Sequence, residues 1–448
     1  MLRATRLFSS STGVEASKSF SKVNLFDKSK SKKGSGNDKT WKDTILKLNF
    51  SAKAKDETLI AALSPLQKDT LQELKGKIVK YHPDSLKKLH IAGSFRPHQY
   101  NELFSQPVTL VRSREDSVIE SLLKNSLIES SNKNRLVLTG QKGVGKSTIL
   151  AHFQALAVSQ PSILIPFSFA DALVNGSTNF KLNSESGLYD QNMLSRELLK
   201  KIKYLNSEIL SKIQLGEDVV IFNESQRKIS SVNAKSNLLQ LVSVGARSDV
   251  NSTQVIIDLI NQLQNQSTYP VYLTVDNFTA FLQHGMTKYR DASNKLIYFQ
   301  KFTLIDMILS FVSAEKSFQK GAVVVATHGD HKWKSNHTLS VALSENPTES
   351  AKNHAYDKFT QFDREFASRL IKNGKLQELK VSKFDLDETK ALVDNMFKFN
   401  LIFNEYSRNE EESALKGDYI SKVAERKYFI SGNGNAKRIM DSCVLFYT

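Results

Sequence analysis

The stretch RLVLTGQKGVGKST, from Arg135 to Thr148, constrains the fold of this chain more than any other. Arg135 to Thr139 is a short apolar run suited to a buried strand, and G-x-x-x-x-G-K-S follows from Gly140 to Ser147. Ile149, Leu150, Phe153, Leu156 and Ala157 then recur with helical period. A strand, a glycine-rich loop and a helix in that order make a phosphate-binding loop. Gly140, Gly143 and Gly145 permit a turn tight enough for successive N–H groups to converge on phosphate oxygens. Lys146 adds a point charge for β- and γ-phosphates, Ser147 offers a hydroxyl to Mg²⁺, and the helix aims its positive dipole end at the same place. The expected nucleotide-binding residues are therefore Gly140, Gln141, Lys142, Gly143, Val144, Gly145, Lys146, Ser147 and Thr148.

Such a loop needs a parallel sheet to hold it. Ser162 to Phe169 reads as a second strand, with Pro166 moving it toward a sheet edge. Tyr269 to Asp276 is a third run, ending in an acid at the edge that lies beside the loop. Asp276 is thus placed to hold Mg²⁺ together with Ser147, as a Walker B residue. Asn277 stands where ATPases of the AAA type carry a water-activating Glu, and an amide cannot accept that proton, so hydrolysis is expected to be slow or absent. Gly321 to His328 is a fourth strand whose Thr327 fits either a γ-phosphate sensor or a strand-end cap. Leu376 to Val381 is a fifth. Asp385 to Glu388 is a capping-box start for a helix through Phe399. The turn Ser431 to Asn435 feeds a helix whose Lys437 and Arg438 either reach a nucleotide or only decorate the helix start.

The fold expected is α/β, a P-loop NTPase with a parallel sheet flanked by helices, a small C-terminal helical lid and a basic N-terminal extension. Residues 1–16 carry Arg3 and Arg6, apolar Leu2, Leu7 and Phe8, and several Ser with no acid before Glu15, which reads as a mitochondrial transit peptide and a matrix destination. Residues 17–55 form a Lys/Ser/Gly-rich flexible arm. Residues 56–130 form a lead-in: one or two short helices before Lys80, a break at Tyr81-His82-Pro83-Asp84, an extended part, then a helix from Ser117 to Leu127. Arg112 to Glu115 lies where many P-loop ATPases place a base-recognition loop. The P-loop domain takes 131–382, with a long polar insertion at about 171–250 holding one helix, Met193 to Ile213. Further helices are expected at Val255 to Leu263 and Gln300 to Ser313, a polar loop at Lys332 to Lys358, and the lid at 383–448.

A net charge of +16 favours an anionic partner, nucleic acid first and an anionic membrane surface second. No apolar run is long enough to span a membrane. The single cysteine, Cys443, excludes an internal disulfide and a Cys-rich zinc site.

Together these residues resemble the mitochondrial small-ribosomal-subunit GTP-binding protein family, also called the death-associated-protein-three family. The resemblance is carried by the transit-like start, Phe95-Arg96-Pro97, Phe104 to Arg112, Gly140 to Thr148, Thr274-Val275-Asp276-Asn277 and Gly434-Asn435-Ala436-Lys437. In that last turn Ala436 and Lys437 stand where the family usually has Pro and Arg. The resemblance implies an AAA-like ATPase fold and a bound guanine nucleotide, GTP or GDP, beside the Mg²⁺ expected from Ser147 and Asp276. It also implies a place in the small subunit of the mitochondrial ribosome against its rRNA and neighbouring proteins, near bridges to the large subunit. The residues themselves leave guanine and adenine open, since no N-K-x-D occurs and Asn294-Lys295-Leu296-Ile297 lacks the Asp. The rival expectation from the residues is an active matrix AAA-type ATPase that remodels protein or nucleic acid.

Overall fold

The computed structural model describes residues 57–96, 99–281, 286–328, 337–344, 363–399, 401–402 and 416–444. The expected transit peptide and basic arm lie outside the described residues. At the centre is a five-stranded parallel sheet: β1 (Arg135–Thr139), β2 (Ile163–Phe167), β3 (Val271–Asp276), β4 (Gly321–Ala326) and β5 (Gln377–Lys380), in the spatial order β5-β1-β4-β3-β2. The interior strands are apolar at nearly every position because both faces of a parallel sheet are covered. Alternation along each strand then divides the side chains between two cores. Val137, Leu273, Val275, Val323 and Val325 join one, while Leu136, Leu138, Tyr272, Val324 and Ala326 join the other.

The sheet order decides the geometry of the cleft. With β4 inserted between the loop-bearing β1 and the acid-bearing β3, the tip of β4 lies between them at the C-terminal edge. Both sheet edges are protected. Pro166 does lie on an edge strand, and the Asn206 side chain closes that edge by accepting from Leu164 N at 2.8 Å and donating to Leu164 O at 2.9 Å. The other edge, β5, has the sequence QELK, whose charges discourage further strand pairing.

The lead-in differs from the sequence expectation. Pro83 starts a helix, α1 (Pro83–Ala92), rather than ending one, because proline fits the first helical turn and His82 caps it. Upstream, a short helix covers residues 57–62, within the span expected to be helical, but Ile78–Tyr81 at the end of that span pairs instead with Pro65–Leu66 and with Val108–Leu110 in a small separate sheet. Next comes α2 (Ser113–Ser126), and α3 (Lys146–Val158) follows the glycine loop.

The insertion is also more structured than its composition suggests. Beyond α4 (Asn192–Leu210) it contains a hairpin, Val219–Phe222 with Lys228–Val232, and a helix, Leu238–Gly245. Val219, Ile221, Val232, Leu238, Leu241 and Val242 are all buried in one of the two sheet cores. Apolar residues too sparse to show a period were enough to seal that side. The expected helices near 255 and 303 appear as α5 (Ser252–Asn265) and α6 (Thr303–Val312). The 332–358 stretch read as a polar loop holds a short helix, His337–Leu343, with Leu339 and Ala342 buried. The C-terminal unit comprises α7 (Leu386–Lys398), with the Asp385/Glu388 capping box in place, α8 (Lys416–Ile430) and α9 (Ala436–Cys443).

Arg112 joins the lead-in to this C-terminal unit. Its guanidinium meets Glu388 at 3.0 and 3.1 Å and Glu115 at 3.2 Å, and donates to Ser382 O at 3.0 Å and Lys383 O at 3.2 Å. The expectation of a base-recognition loop at Arg112 to Glu115 is corrected on this point, because every strong donor of Arg112 is committed to the protein and the side chain is buried. Arg112→Met should lower stability by about 3–5 kcal/mol, since it strands two poorly exposed carboxylates. Urea denaturation of the variant beside the wild type measures this.

Candidate functional site

The glycine loop spans the gap between β1 and α3 with Gly140, Gly143 and Gly145 all at positive φ. Gly143 shows why the sequence must be glycine: at φ 87° an added Cβ would sit 2.7 Å from Lys437 Cβ and 2.8 Å from Asn435 Oδ1. The close approach is bridged by hydrogen bonds. Asn435 Nδ2 donates to Lys142 O at 2.9 Å and the Lys437 amide donates to Gly143 O at 2.8 Å. A loop whose N–H groups turn inward must turn carbonyls outward, and here the start of α9 supplies partners for two of them.

Lys146 is buried at the base of the loop, where its Nζ donates to Gly140 O and Gln141 O, each at 2.8 Å. Ser147 Oγ donates to Asp276 Oδ1 at 3.1 Å, so these two expected Mg²⁺ ligands stand side by side. A hydroxyl and one carboxylate, with phosphate and water completing the shell, is a donor set that fits Mg²⁺. Burial pushes the Asp276 carboxyl above the ordinary carboxylate range, opposed by Arg96, the Ser147 hydroxyl and the Asn277 amide.

Arg96 is a residue that motif spacing could not place. Its Nε lies 2.9 Å from Asp276 Oδ2, its guanidinium also donates to Ser168 O, and it rests 5.0 Å over the Phe169 ring. It therefore brings a cation to the Asp276 end of the cleft, from a part of the chain far from the loop. The lead-in is held there by buried polar contacts to α3. Ser94 donates to Gln154 at 2.6 Å, and Gln154 in turn donates to Thr274 at 2.8 Å. His152 bridges Asp116 at 2.7 Å and Thr109 at 2.6 Å.

The three sensor candidates are placed differently. Thr327 lines the cleft, but its hydroxyl donates to Leu138 O at 3.0 Å, which is the strand-end geometry. Lys437 lines the cleft and is exposed. Arg438 does not line it; its guanidinium lies over Gly432. Asn277 takes up φ 60°, a left-handed conformation that Asn tolerates better than most residues, and donates its side-chain amide to Asp171. No carboxylate occupies that position.

These parts enclose a cleft of about 390 Å³. One end is polar, formed by Gly143, Gly145, Lys146, Ser147, Thr148 and Asp276. The other end is largely apolar, formed by Ile78, Phe104, Leu392, Met396 and Met440 from the lead-in and the C-terminal helices. A polar, glycine-rich end beside an apolar slot offers contacts of the two kinds that a nucleotide would use. Among the described residues no group of three or more His, Cys, Asp or Glu side chains could hold a metal, and no helix is long and apolar enough to cross a membrane.

A family model described as mitochondrial ribosomal death-associated protein 3 matches residues 109–442. Small ribosomal subunit protein mS29 of Schizosaccharomyces pombe is 21% identical over 375 residues, which cover 82% of this chain and 71% of that protein. Its Neurospora crassa counterpart is 22% identical over 279 residues, covering 61% and 57%. Among solved structures, a Walker-type ATPase of Pyrococcus abyssi aligns over 74% of this chain and 70% of its own, with a TM-score of 0.31 and 16% identity.

Gly143→Ala should destabilise the chain by at least about 1 kcal/mol, because φ is positive and the new Cβ meets α9. Thermal denaturation, with limited proteolysis to locate the loosening in residues 416–444, checks the expectation.

Proposed function

Since the chain belongs to the mitochondrial ribosomal death-associated protein 3 family, we propose that it is a structural component of the small subunit of the mitochondrial ribosome whose P-loop holds a purine nucleotide with Mg²⁺. The observation that carries the nucleotide part of this reading is the latch of Asn435 and Lys437 on the outward carbonyls of Lys142 and Gly143. A ligand in the cleft touches the loop, the lead-in and the C-terminal helices together, so its binding energy adds to the stability of their arrangement. GDP or GTP is the nucleotide favoured by the family resemblance.

The residues divide the work. The loop amides and Lys146 hold the phosphates, Ser147 and Asp276 hold Mg²⁺, Arg96 adds charge beside Asp276, and the apolar slot takes the base. Bound Mg²⁺-nucleotide supplies the phosphate charge and the metal that these groups are arranged to neutralise. Asn277 gives water no base, which supports bracing over turnover and weighs against the rival matrix ATPase. The net charge of +16 supports contact with small-subunit rRNA, with neighbouring ribosomal proteins as the other partners.

The first test is sedimentation of lysed mitochondria at moderate salt, following the chain by antibody and its co-purifying nucleotide by mass spectrometry. Migration with the small subunit and a guanine nucleotide is expected; free sedimentation with an adenine nucleotide would favour the ATPase. In vitro, GDP at a hundred times its Kd should stabilise the wild type by about 2.7 kcal/mol. Lys146→Ala should remove that gain in a thermal melt.

The pH dependence follows from Asp276. A proton competes with Mg²⁺ for its carboxylate, so the Mg²⁺-dependent part of nucleotide affinity is present above its raised pKa and is lost as pH falls through it. Loss should begin above the ordinary carboxylate value of about 4. Titrating GDP with and without Mg²⁺ across about pH 4 to 8 reads this out, and Asp276→Asn should flatten the profile.

A further inference from the structure

At the apolar end of the cleft, α7 presents Leu392 and Met396, and Asn395 stands between them on the same face. Positions three and four apart share a helix face, so a carboxamide here sits among groups that offer it nothing. Asn395 lines the cleft and is only 6% exposed, and its Nδ2 is buried with no hydrogen-bond partner among the described residues. Buried donors are almost always paired in folded proteins, and one left over in the wall of a ligand cleft points to a partner on the ligand. The neighbouring side chains fit a flat ring: Phe104 is held edge-on to Phe399 at 5.2 Å, and Met396 and Met440 are soft, adaptable contacts.

We infer that Asn395 is a specificity-determining residue that donates its Nδ2–H to ring nitrogen N7 of a purine base. The inference rests on the nucleotide reading above and extends it from the phosphates to the base. An amide N–H is a donor only, so the partner must be an acceptor. N7 is the acceptor on the exposed edge that both purines share. The base is thereby sorted as a purine by the C-terminal helices, while the loop recognises only phosphate. This division gives α7 a direct hold on the ligand that α9 grips through the loop.

The test separates base from phosphate. Full-length protein is titrated calorimetrically with GDP, with 7-deaza-GDP, whose position 7 is a C–H, and with inorganic tripolyphosphate. The wild type should bind GDP about tenfold more tightly than 7-deaza-GDP, one hydrogen bond's worth of discrimination. Asn395→Leu should bind the two nucleotides equally and keep its tripolyphosphate affinity, which also shows that the variant's phosphate site is folded. Equal binding of GDP and 7-deaza-GDP by the wild type overturns the inference without using any variant. Discrimination that persists in Asn395→Leu overturns it as well. Tripolyphosphate and GDP both failing to bind the wild type would instead overturn the P-loop reading, and this inference with it.

Discussion

The outward carbonyls of the glycine loop are the constraint on which the rest of the structure depends. Turning consecutive N–H groups inward leaves C=O groups that the loop cannot satisfy for itself. Those of Lys142 and Gly143 are met by Asn435 and by the Lys437 amide, so the end of the chain is bound to its most constrained turn. Tight turns elsewhere serve this contact. Gly434, at φ 88°, passes so close to Phe384 O that a Cβ there would lie 2.0 Å away, and the Phe384 amide donates to Gly434 O at 2.8 Å.

Placing the lead-in is a second consequence of chemistry at α3. A helix buried on nearly all sides would slide among apolar neighbours without fixed partners. His152 and Gln154 fix it, because each is paired on both sides with groups from the lead-in or the sheet. Through them Thr109, Asp116 and Ser94 are set relative to the glycine loop, and Arg96 follows. Tyr100 completes the enclosure by donating to Asp441 on α9. The cleft is therefore walled by segments distant in sequence, and buried polar contacts, with the shared apolar core of the lead-in and α3, hold those walls in register.

The sheet was largely legible in the sequence. All five core strands fall within the runs expected for them, four because apolar runs bounded by turns have few other uses in a chain of this composition, while β5, QELK, is flanked by buried Leu376 and Val381. Pro166 correctly marked an edge, and Asp385 with Glu388 correctly marked a helix start. Misreadings cluster where a local signal has two meanings. Pro83 can end one helix or begin another, and the difference lies in His82 and in what α1 packs against. The 171–250 segment looked polar because its hairpin and short helix each bury only a few side chains on a core made elsewhere. The family resemblance was carried by motifs, and the match over residues 109–442 bears it out.

The glycine-rich loop between β1 and α3, the acid at the end of β3 and the α/β class are written in the local sequence. Each depends on a pattern within a few residues, set by backbone sterics or hydrophobic period. The approach of Arg96 to Asp276, the burial of Arg112 as a clasp and the lack of a partner for Asn395 Nδ2 among the described residues emerge only in the folded chain. Those facts are distances between residues far apart in the chain. Nothing in local propensity encodes them, because they arise when several elements close around a shared core and each polar group must find whichever partner the packing brings near.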